Sequence, residues 1–314
     1  MEMNDQLLGG LFGLCIGDAL GVPYEFTERN TLRNNPAKDM IGYGTHFQPP
    51  GTWSDDSSLT FCLAESLCYG LNYNDIAKKF CSWLNDGYWT PHGQIFDIGK
   101  TTLKAIKRME SGVDPLFAGS TGELDNGNGA LMRILPIAFY LKNRNLNDQF
   151  KVTHSVSDLT HRTRRSEIAC GMYIQFAINL LNGYDLQSSY NKMKNVTNQY
   201  YSKSEYEREL YHFDRILKSD IYKIPENEIY SDGYVVHTLE ASLWCVLNNK
   251  SYSDTVLSAV NLGGDTDTTA SVAGGLAGIY YGFKAIPSKW IDRVARKEDI
   301  LNLAERFYKG LSVK

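Results

Sequence analysis

The sequence predicts an all-α protein, folded as a compact orthogonal multi-helix bundle. Apolar residues recur at intervals of three and four along most of the 314-residue chain, which is the pattern of helices that bury one face. Alternating runs of β-branched residues, which are typical of strands, are almost absent. No long polar or Pro-rich spacer divides the chain, so we interpret residues 1–314 as a single domain.

The helices can be assigned in order along the chain. Apolar periodicity follows Asp5 as far as Ile16, and the glycines and proline of residues 17–23 predict a loop after it. The next helix is expected to begin directly after Ser54 and to end at Gly70. Further helices are predicted over about 74–84, 99–111, 130–141, 164–182, 204–218, 234–248, 253–261, 267–281 and 297–310. Residues 183–232 have weaker periodicity, and we interpret them as a peripheral insertion.

The predicted helix over residues 267–281 has an unusual composition. Ala270, Gly274 and Gly278 recur at every fourth position. Because each glycine inside a helix costs roughly 0.5–1 kcal/mol relative to alanine, a compensating interaction is required. Close packing against another helix at the centre of the bundle would supply it, and it would hold the N-terminal residues of this helix rigidly.

Composition and charge argue against several classes of partner and location. The net charge is −4 with a pI near 5.9, so no overall basic field attracts nucleic acid. The N-terminus lacks the basic and apolar regions of an export signal, and we expect no apolar stretch to reach the roughly 20 residues of a membrane span. The six cysteines form no C-x-x-C pair, so we expect reduced thiols, no thiolate metal site, and a cytoplasmic location. We also expect a monomer.

Two segments combine carboxylates and hydroxyls at predicted helix starts, residues 54–58 and residues 265–269. Each alone is explained by helix capping, since Ser and Asp are good N-caps and negative charge is favoured there. Two such starts in one chain favour a second interpretation. Mg²⁺ prefers oxygen ligands held rigidly, and two bound divalent ions would relieve the repulsion among four converging carboxylates.

Four further features carry chemistry only in combination. Glu25 lies in a predicted loop, where a surface position is the simpler interpretation. Asp97 precedes a predicted helix and could cap it. The glycine-rich turn of residues 127–129 could bring backbone N–H groups to an anion at a helix N-terminus, although such a turn alone is a weak signal. His161, taken alone, is more often structural than functional.

Taken in this order, the segments resemble the ADP-ribosylglycohydrolase family, which includes the bacterial dinitrogenase reductase-activating glycohydrolases. The resemblance extends from Gly17 to Gly282. Its most specific parts are G-D-A-L-G, W-S-D-D-S, F-D-I-G, G-N-G-A-L-M-R, the T-H pair and G-G-D-T-D-T-T. It implies the compact α-helical fold of that family and Mg²⁺-dependent hydrolysis of the glycosidic bond between ADP-ribose and an acceptor.

The resemblance also implies roles for individual residues. A dinuclear site would hold two Mg²⁺ ions, for which Mn²⁺ could substitute, through Ser54, Asp55, Asp56, Asp265, Asp267 and Thr268. Glu25 would lie in a mobile loop over the site, and Asp97 would face the distal ribose. The substrate, an ADP-ribosylated protein or a small ADP-ribose derivative, would contact Gly99, Gly127, Asn128, Gly129 and His161. Which of Glu25 and Asp97 is the general base stays open.

The sequence departs from the family pattern in two places. Ser54 stands where the family usually has Thr. Serine keeps the hydroxyl but lacks the methyl group that restricts χ1. Arg162, Arg164 and Arg165 follow His161 where the family often has small residues and proline. If these arginines faced the cleft, they would repel the guanidinium of an arginine-linked substrate. If they instead paired with acids such as Glu167, they would not hinder the binding of that substrate.

The acceptor is therefore the least determined part of the function. ADP-ribosyl-arginine on a protein is favoured, because acids around the cleft would attract its planar cation. Serine-linked ADP-ribose, O-acetyl-ADP-ribose and other small derivatives are alternatives. A non-catalytic relative that binds ADP-ribose is a further one, which the four intact carboxylates argue against.

Overall fold

The computed structural model describes residues 2–202 and 204–312, and within these ranges every regular element is a helix. The prediction of an all-α fold is therefore confirmed. The α-helices are α1 (Met3–Gly21), α2 (Arg29–Asn34), α3 (Asp55–Leu67), α4 (Tyr73–Asp86), α5 (Lys100–Glu110), α6 (Pro136–Leu141), α7 (Leu146–Asp158), α8 (Arg164–Leu181), α9 (Leu186–Tyr201), α10 (Asp214–Leu217), α11 (Val235–Asn248), α12 (Tyr252–Asn261), α13 (Thr266–Tyr281), α14 (Ser288–Ile291) and α15 (Lys297–Ser312). Short 3₁₀ helices connect many of them.

Helices α1 and α13 pack directly against each other, and both are buried along most of their length. A Cβ atom added to Gly13 would lie 2.4 Å from the carbonyl oxygen of Gly274, and one added to Gly274 would lie 2.3 Å from that of Gly13. Gly9 contacts Gly278 in the same way, so the two helices are antiparallel. The predicted close packing of the small-residue helix is confirmed, and its partner is the glycine series of α1.

Helix α1 continues through residues for which the sequence predicts a loop. It ends at Gly21, and a 3₁₀ turn over Val22–Tyr24 follows. A Cβ atom on Gly17 would lie 2.1 Å from the carbonyl oxygen of Ala270. Gly17 and Gly21 are therefore contact points with α13, and the prediction that the helix stops at them is wrong.

The extended helix also changes the expectation about membrane spans. By length and composition alone, Met3–Tyr24 could cross a membrane, with a mean hydropathy of 1.5 in its most apolar window. However, 89% of that window is buried inside the protein. The helix is apolar because it lies in the core against α13.

Other parts of the chain also differ from prediction. Helices α2 and α7 have no predicted counterpart, and the expected helix over 204–218 is a 3₁₀ helix, Glu207–Phe213, followed by the four residues of α10. The expected helix over 130–141 is divided into a 3₁₀ turn, Leu131–Arg133, and α6, because Pro136 begins a new helix. Helix α9 lies in the region interpreted as a peripheral insertion, yet it buries Tyr190, Met193 and Tyr201 against the core. That interpretation is wrong for α9, whose polar composition conceals a narrow buried face.

Candidate active site

An acidic cleft of about 340 Å³ opens where the N-termini of α3, α5 and α13 approach the turn of residues 127–129. Ten of the predicted site residues line it: Glu25, Asp55, Asp97, Gly99, Gly127, Asn128, Gly129, His161, Asp265 and Thr268. The other three, Ser54, Asp56 and Asp267, are buried beside them. The structure thus brings together residues that are up to 243 positions apart, from Glu25 to Thr268.

The start of α3 holds three of these residues. Ser54 is the N-cap, and its side chain accepts a hydrogen bond from the backbone N–H of Asp56 at 3.3 Å. Its hydroxyl also donates to Oδ2 of Asp56 at 3.2 Å. The capping interpretation is therefore correct for Ser54, but Asp55 and Asp56 lie in the first turn and are buried without capping the helix.

The start of α13 is fixed by a tight glycine turn. Gly263 and Gly264 have φ values of +74° and +72°, which favour glycine. The backbone N–H of Asp265 donates to the carbonyl of Ser231 at 2.7 Å. Asp265 occupies the N-cap position, yet its side chain makes no capping hydrogen bond. Its carboxylate is therefore available to the cleft.

The two acidic helix starts meet in the interior. The hydroxyl of Thr268 donates to Oδ2 of Asp56 at 3.3 Å. Single carboxylate oxygens of Glu25, Asp265 and Asp267 all lie within 4.8 Å of one another. Burial raises the pKa of Asp267 well above its usual range, and the neighbouring carboxylates raise it further. Burial also raises the pKa of Asp55, Asp56 and Asp265.

Two buried carboxylate oxygens suit a bound cation. Within the described ranges, Oδ1 of Asp56 and Oδ1 of Asp265 are buried without a hydrogen-bond partner. An unpaired buried polar atom is costly, so such atoms in a native protein need a partner. Because the surrounding donors are carboxylate and hydroxyl oxygens, this group of side chains fits a hard divalent cation such as Mg²⁺.

Glu25 is held at the cleft by a contact that the sequence did not suggest. It follows the 3₁₀ turn after α1 and is only 6% exposed, so the surface interpretation is wrong. Nε2 of His46 contacts Oε2 of Glu25. Burial raises the pKa of Glu25, while the bond from His46 lowers it. His46 carries no sequence signal, because it ends a short 3₁₀ turn, Gly44–His46, that contains no motif.

Asp97 lines the cleft and does not cap α5. The N-cap of α5 is Gly99, which has no side chain to form a capping bond. Burial raises the pKa of Asp97, and the nearby His46 lowers it. The two candidate catalytic acids, Glu25 and Asp97, therefore share one cleft and one neighbouring histidine.

The glycine-rich turn has a different local structure from the predicted anion site at an α-helix start. It leads into a 3₁₀ turn, and the side chain of Asn128 donates to Oδ2 of Asp265 at 2.7 Å and to Oγ1 of Thr238 at 2.9 Å. Asn128 thereby orients Asp265. Gly129 leaves room for His161, since a Cβ atom there would lie 2.8 Å from Cε1 of the imidazole.

His161 is buried and uncharged at neutral pH. Burial, together with the charge of nearby Arg133, lowers the pKa of His161 to about 3. Nδ1 of His161 lies 2.9 Å from the hydroxyl of Thr160. The imidazole can therefore contribute shape and a neutral hydrogen-bonding edge to the cleft, but not a positive charge.

Asp18 organises the site from within α1. Its carboxylate accepts the backbone N–H groups of Ser54 at 2.9 Å and Ser57 at 3.0 Å, and the hydroxyl of Ser57 at 2.6 Å. Burial raises the pKa of Asp18 to about 6. The G-D-A-L-G motif contains this residue, but the predicted helix end concealed its role. Its position on a buried helix makes it the anchor of the α3 N-terminus.

The three arginines after His161 lie away from the acidic cleft. They line a second cleft of about 450 Å³. Arg164 pairs with Glu167 at 2.9 Å, and Arg165 bonds Glu123 and Glu209. The guanidinium of Arg162 lies 4.7 Å from the centre of the Phe117 ring. The pairing interpretation is correct for Arg164 and Arg165.

The fold and the cleft are those of an α-helical protein with a candidate active site lined by buried carboxylates. The sequence model described as ADP-ribosylglycohydrolase matches residues 1–314, and the chain belongs to that family. It is therefore an ADP-ribosyl glycohydrolase, an enzyme that hydrolyses the bond between ADP-ribose and an acceptor.

Individual relatives agree with this assignment. The chain is 34% identical to the ADP-ribosylarginine hydrolase Tri1 of Serratia proteamaculans, over 98% of this chain and 80% of that protein. It is 28% identical to the ADP-ribosyl-[dinitrogen reductase] glycohydrolase of Rhodospirillum rubrum, over 94% of this chain and 92% of that protein. A solved structure described as an ADP-ribosylglycohydrolase-related protein complex superposes with a TM-score of 0.82 at 29% identity, covering 98% of both chains.

Proposed function

We propose that this enzyme removes ADP-ribose from modified arginine side chains of proteins by Mg²⁺-dependent hydrolysis. The observation that carries the proposal is the meeting of two acidic helix starts, with unpaired buried oxygens on Asp56 and Asp265. Relatives at 34% and 31% identity are named ADP-ribosylarginine hydrolases, which supports the arginine linkage.

The metal site would use side chains from both helix starts. Two Mg²⁺ ions would be held by Ser54, Asp55, Asp56, Asp265, Asp267 and Thr268. Bound Mg²⁺ would supply Lewis-acid stabilisation and lower the pKa of water in the site. Asn128 supports this site because it holds Oδ2 of Asp265 and leaves Oδ1 free of hydrogen bonds.

The substrate would extend from the acidic cleft into the second cleft. Gly127 lines the first and the preceding residue, Asn126, lines the second, so the two are neighbours. We infer that the distal ribose lies beside Asp97, that the diphosphate contacts the turn of residues 127–129, and that the adenosine occupies the arginine-lined cleft. The paired arginines there would then contact the nucleoside end of the substrate and not the acceptor.

Hydrolysis would pass through an oxocarbenium-like state at C1″ of the distal ribose. The bond from C1″ to the arginine nitrogen breaks, its electron pair stays on that nitrogen, and the departing guanidine takes up a proton to become a guanidinium. Water forms the new C1″–O bond and loses one proton. We assign Glu25 as the general base that takes the proton from water, because its carboxylate belongs to the group with Asp265 and Asp267. Burial raises the pKa of Glu25, which makes its carboxylate a stronger base than that of an exposed glutamate.

The electrostatics of the cleft favour a cationic acceptor. Glu25 and Asp97 line the same cleft and would attract the guanidinium of ADP-ribosyl-arginine. Arg164 and Arg165 do not oppose it, because they face a separate cleft and are paired with acids.

The proposal is tested by comparing initial rates of ADP-ribose release from arginine-linked, serine-linked and acetyl-linked ADP-ribose at equal concentration with Mg²⁺. We expect the arginine linkage to be hydrolysed at least about tenfold faster, as the two acids discriminate by charge. Glu25→Gln should lower turnover by about 10²-fold on every substrate that is cleaved, while ligand affinity is largely kept. A preference for the serine or acetyl linkage would overturn the arginine assignment, and unchanged turnover in Glu25→Gln would reject Glu25 as the base.

A further inference from the structure

A turn near the acidic cleft is shaped to present His46. Its ends are joined by a hydrogen bond from the backbone N–H of Tyr43 to the carbonyl of Gln48 at 2.5 Å. The side-chain amide of Gln48 donates back to the carbonyl of His46 at 3.2 Å. Tyr43 and Phe47 have positive φ values of 72° and 55°, which are unusual for aromatic residues. This conformation places the imidazole of His46 inward.

The turn is also fixed to the backbone around Glu25. The hydroxyl of Thr45 donates to the carbonyl of Glu25 at 2.7 Å. Gly44 has a φ of +46°, and a Cβ atom there would lie 2.0 Å from the carbonyl oxygen of Pro23. On the other side, the backbone N–H of Phe26 donates to the carbonyl of Gly264 at 2.7 Å. The chain on both sides of the Glu25 side chain is therefore held.

The imidazole of His46 itself is enclosed. The side chains of His46 and Glu25 are 14% and 7% exposed, and Nε2 contacts Oε2. The ring centre lies 5.2 Å from that of Phe96, the residue before Asp97, and 6.4 Å from that of Phe26. The bond to Glu25 raises the pKa of His46, and the charges of Glu25 and Asp97 raise it further. His46 thus lies near both candidate catalytic acids but bonds Glu25.

We propose that His46 is a positioning residue that holds one oxygen of Glu25 so that the other faces Asp265 and Asp267 in the acidic cleft. This inference rests on the proposed function, in which Glu25 is the general base. A base must keep its reactive oxygen within hydrogen-bond reach of the attacking water. An enzyme in which Glu25 is not held in place would therefore bind substrate normally but turn it over slowly. His46 fixes the orientation of the Glu25 side chain, and it acts through that carboxylate without contacting the substrate.

The kinetic test compares His46→Leu with His46→Gln. Leucine removes the donor, whereas the amide nitrogen of glutamine can occupy the position of Nε2. We expect His46→Leu to lower kcat at least about tenfold with a KM change below about threefold, and His46→Gln to keep kcat within about threefold of the wild type. His92→Leu is the matched control, because it removes another imidazole, which bonds the hydroxyl of Thr52 outside the acidic cleft. It should leave kcat and KM within about twofold of the wild type. Wild-type kcat in His46→Leu, or an equal loss in both His46 variants, would overturn the proposal.

Two further measurements separate this inference from the proposed function. The double variant Glu25→Gln with His46→Leu should be no slower than Glu25→Gln alone, because His46 acts only through Glu25. An additional loss in the double variant would contradict that. The ¹⁵N resonances of the His46 imidazole should move when Glu25 is changed to Gln, whether or not any substrate is cleaved. If the wild type releases no ADP-ribose, the proposed function fails, while unmoved His46 resonances would reject the contact itself.

Discussion

The acids of this site are placed where isolated carboxylates would not be stable. Glu25, Asp265 and Asp267 have oxygens within 4.8 Å of one another. Two like charges at that separation repel by roughly 3 kcal/mol at an effective dielectric constant of about 20. Contacts with α1 hold both helix starts in place against this repulsion: Ser54 and Ser57 of the α3 start donate to Asp18, and the hydroxyl of Thr266 at the α13 start donates to the carbonyl of Gly21. Interactions in the rest of the fold therefore offset the repulsion among these carboxylates.

The substitution Asp267→Asn separates the charge of this side chain from its shape. The Asn oxygen can still accept the N–H of Thr268, which now bonds Oδ1 of Asp267 at 2.9 Å. Without divalent metal we expect the variant to melt above the wild type, because one repelling charge is gone. With Mg²⁺ we expect the opposite order, because a ligand is lost. Thermal melts with and without Mg²⁺ measure both; a variant with an undiminished Mg²⁺-induced rise would reject Asp267 as a ligand.

A second prediction concerns acid stability and His154 on α7. Burial lowers the pKa of His154 to about 4, and its Nε2 lies 2.7 Å from the hydroxyl of Tyr201. Between pH 6.5 and 4 the unfolded chain binds more protons at this imidazole than the folded one, so its contribution to the unfolding free energy falls as the pH falls. We expect the wild type to lose about 2 kcal/mol more than His154→Gln between pH 7 and pH 5.

Urea unfolding of both proteins at pH 5, 7 and 8 measures this difference. Between pH 7 and pH 8 the two should change in parallel, since the imidazole is then neutral in both states. Parallel behaviour down to pH 5 would mean that His154 is not the group that titrates.

At the scale of the helices, the site depends on how closely α1 and α13 approach. Gly21 contacts the first turn of α13, where a Cβ atom on it would lie 2.3 Å from Cα of Asp267, and Gly17 contacts the second turn at Ala270. Asp18 on the same helix binds the start of α3. One buried helix thus sets the distance between the two acidic helix starts.

Gly274→Ala tests this packing against a neighbouring control. A Cβ atom at residue 274 meets backbone, the carbonyl oxygen of Gly13 at 2.3 Å, whereas at Gly275 it meets the end of a side chain, Cδ2 of Leu135 at 2.6 Å. Both changes gain the same helix propensity, so the difference reports the contact. We expect Gly274→Ala to lower the unfolding free energy by roughly 1–3 kcal/mol and to weaken Mg²⁺ binding, and Gly275→Ala to cost less. Equal effects in urea unfolding would show that backbone approach is not limiting.

Sequence periodicity identified most of the long helices, and a capping motif located a helix start at Ser54 before α3, but α7 was missed. It failed where a residue's meaning depends on a distant partner. Gly17 reads as a helix stop, and only the backbone of Ala270 shows it to be a contact point. The role of His46 could not be predicted, because no apolar periodicity or motif marks its turn and its contact with Glu25 depends on the path of two loops. The polar composition of α9 hid its buried face for the same reason.

At the scale of the whole molecule, the acidic cleft joins helices and turns that are far apart in the sequence. Asp18 links α1 to α3, Thr268 links α13 to α3, and Asn128 links the glycine turn to α13. A cation bound by both helix starts would therefore be coupled to the stability of the core and not to one loop. Binding only to the folded state raises stability by an amount set by ligand concentration and affinity.

Removal of divalent metal should consequently lower both the activity and the melting temperature of the whole protein. At about 100 times its dissociation constant, one bound ion adds roughly 2.7 kcal/mol to the unfolding free energy, and its loss would also restore the repulsion among the buried carboxylates. We expect EDTA treatment to abolish ADP-ribose release and to lower Tm in one cooperative transition, and excess Mg²⁺ to restore both. NaCl at matched ionic strength should restore neither, since screening reaches buried charges poorly. Because Asp267→Asn lacks one ligand, its Tm should respond less to the same treatment. Unchanged turnover and Tm in the wild type after chelation would mean that the buried acids function without a metal, and the Mg²⁺ assignment would be wrong.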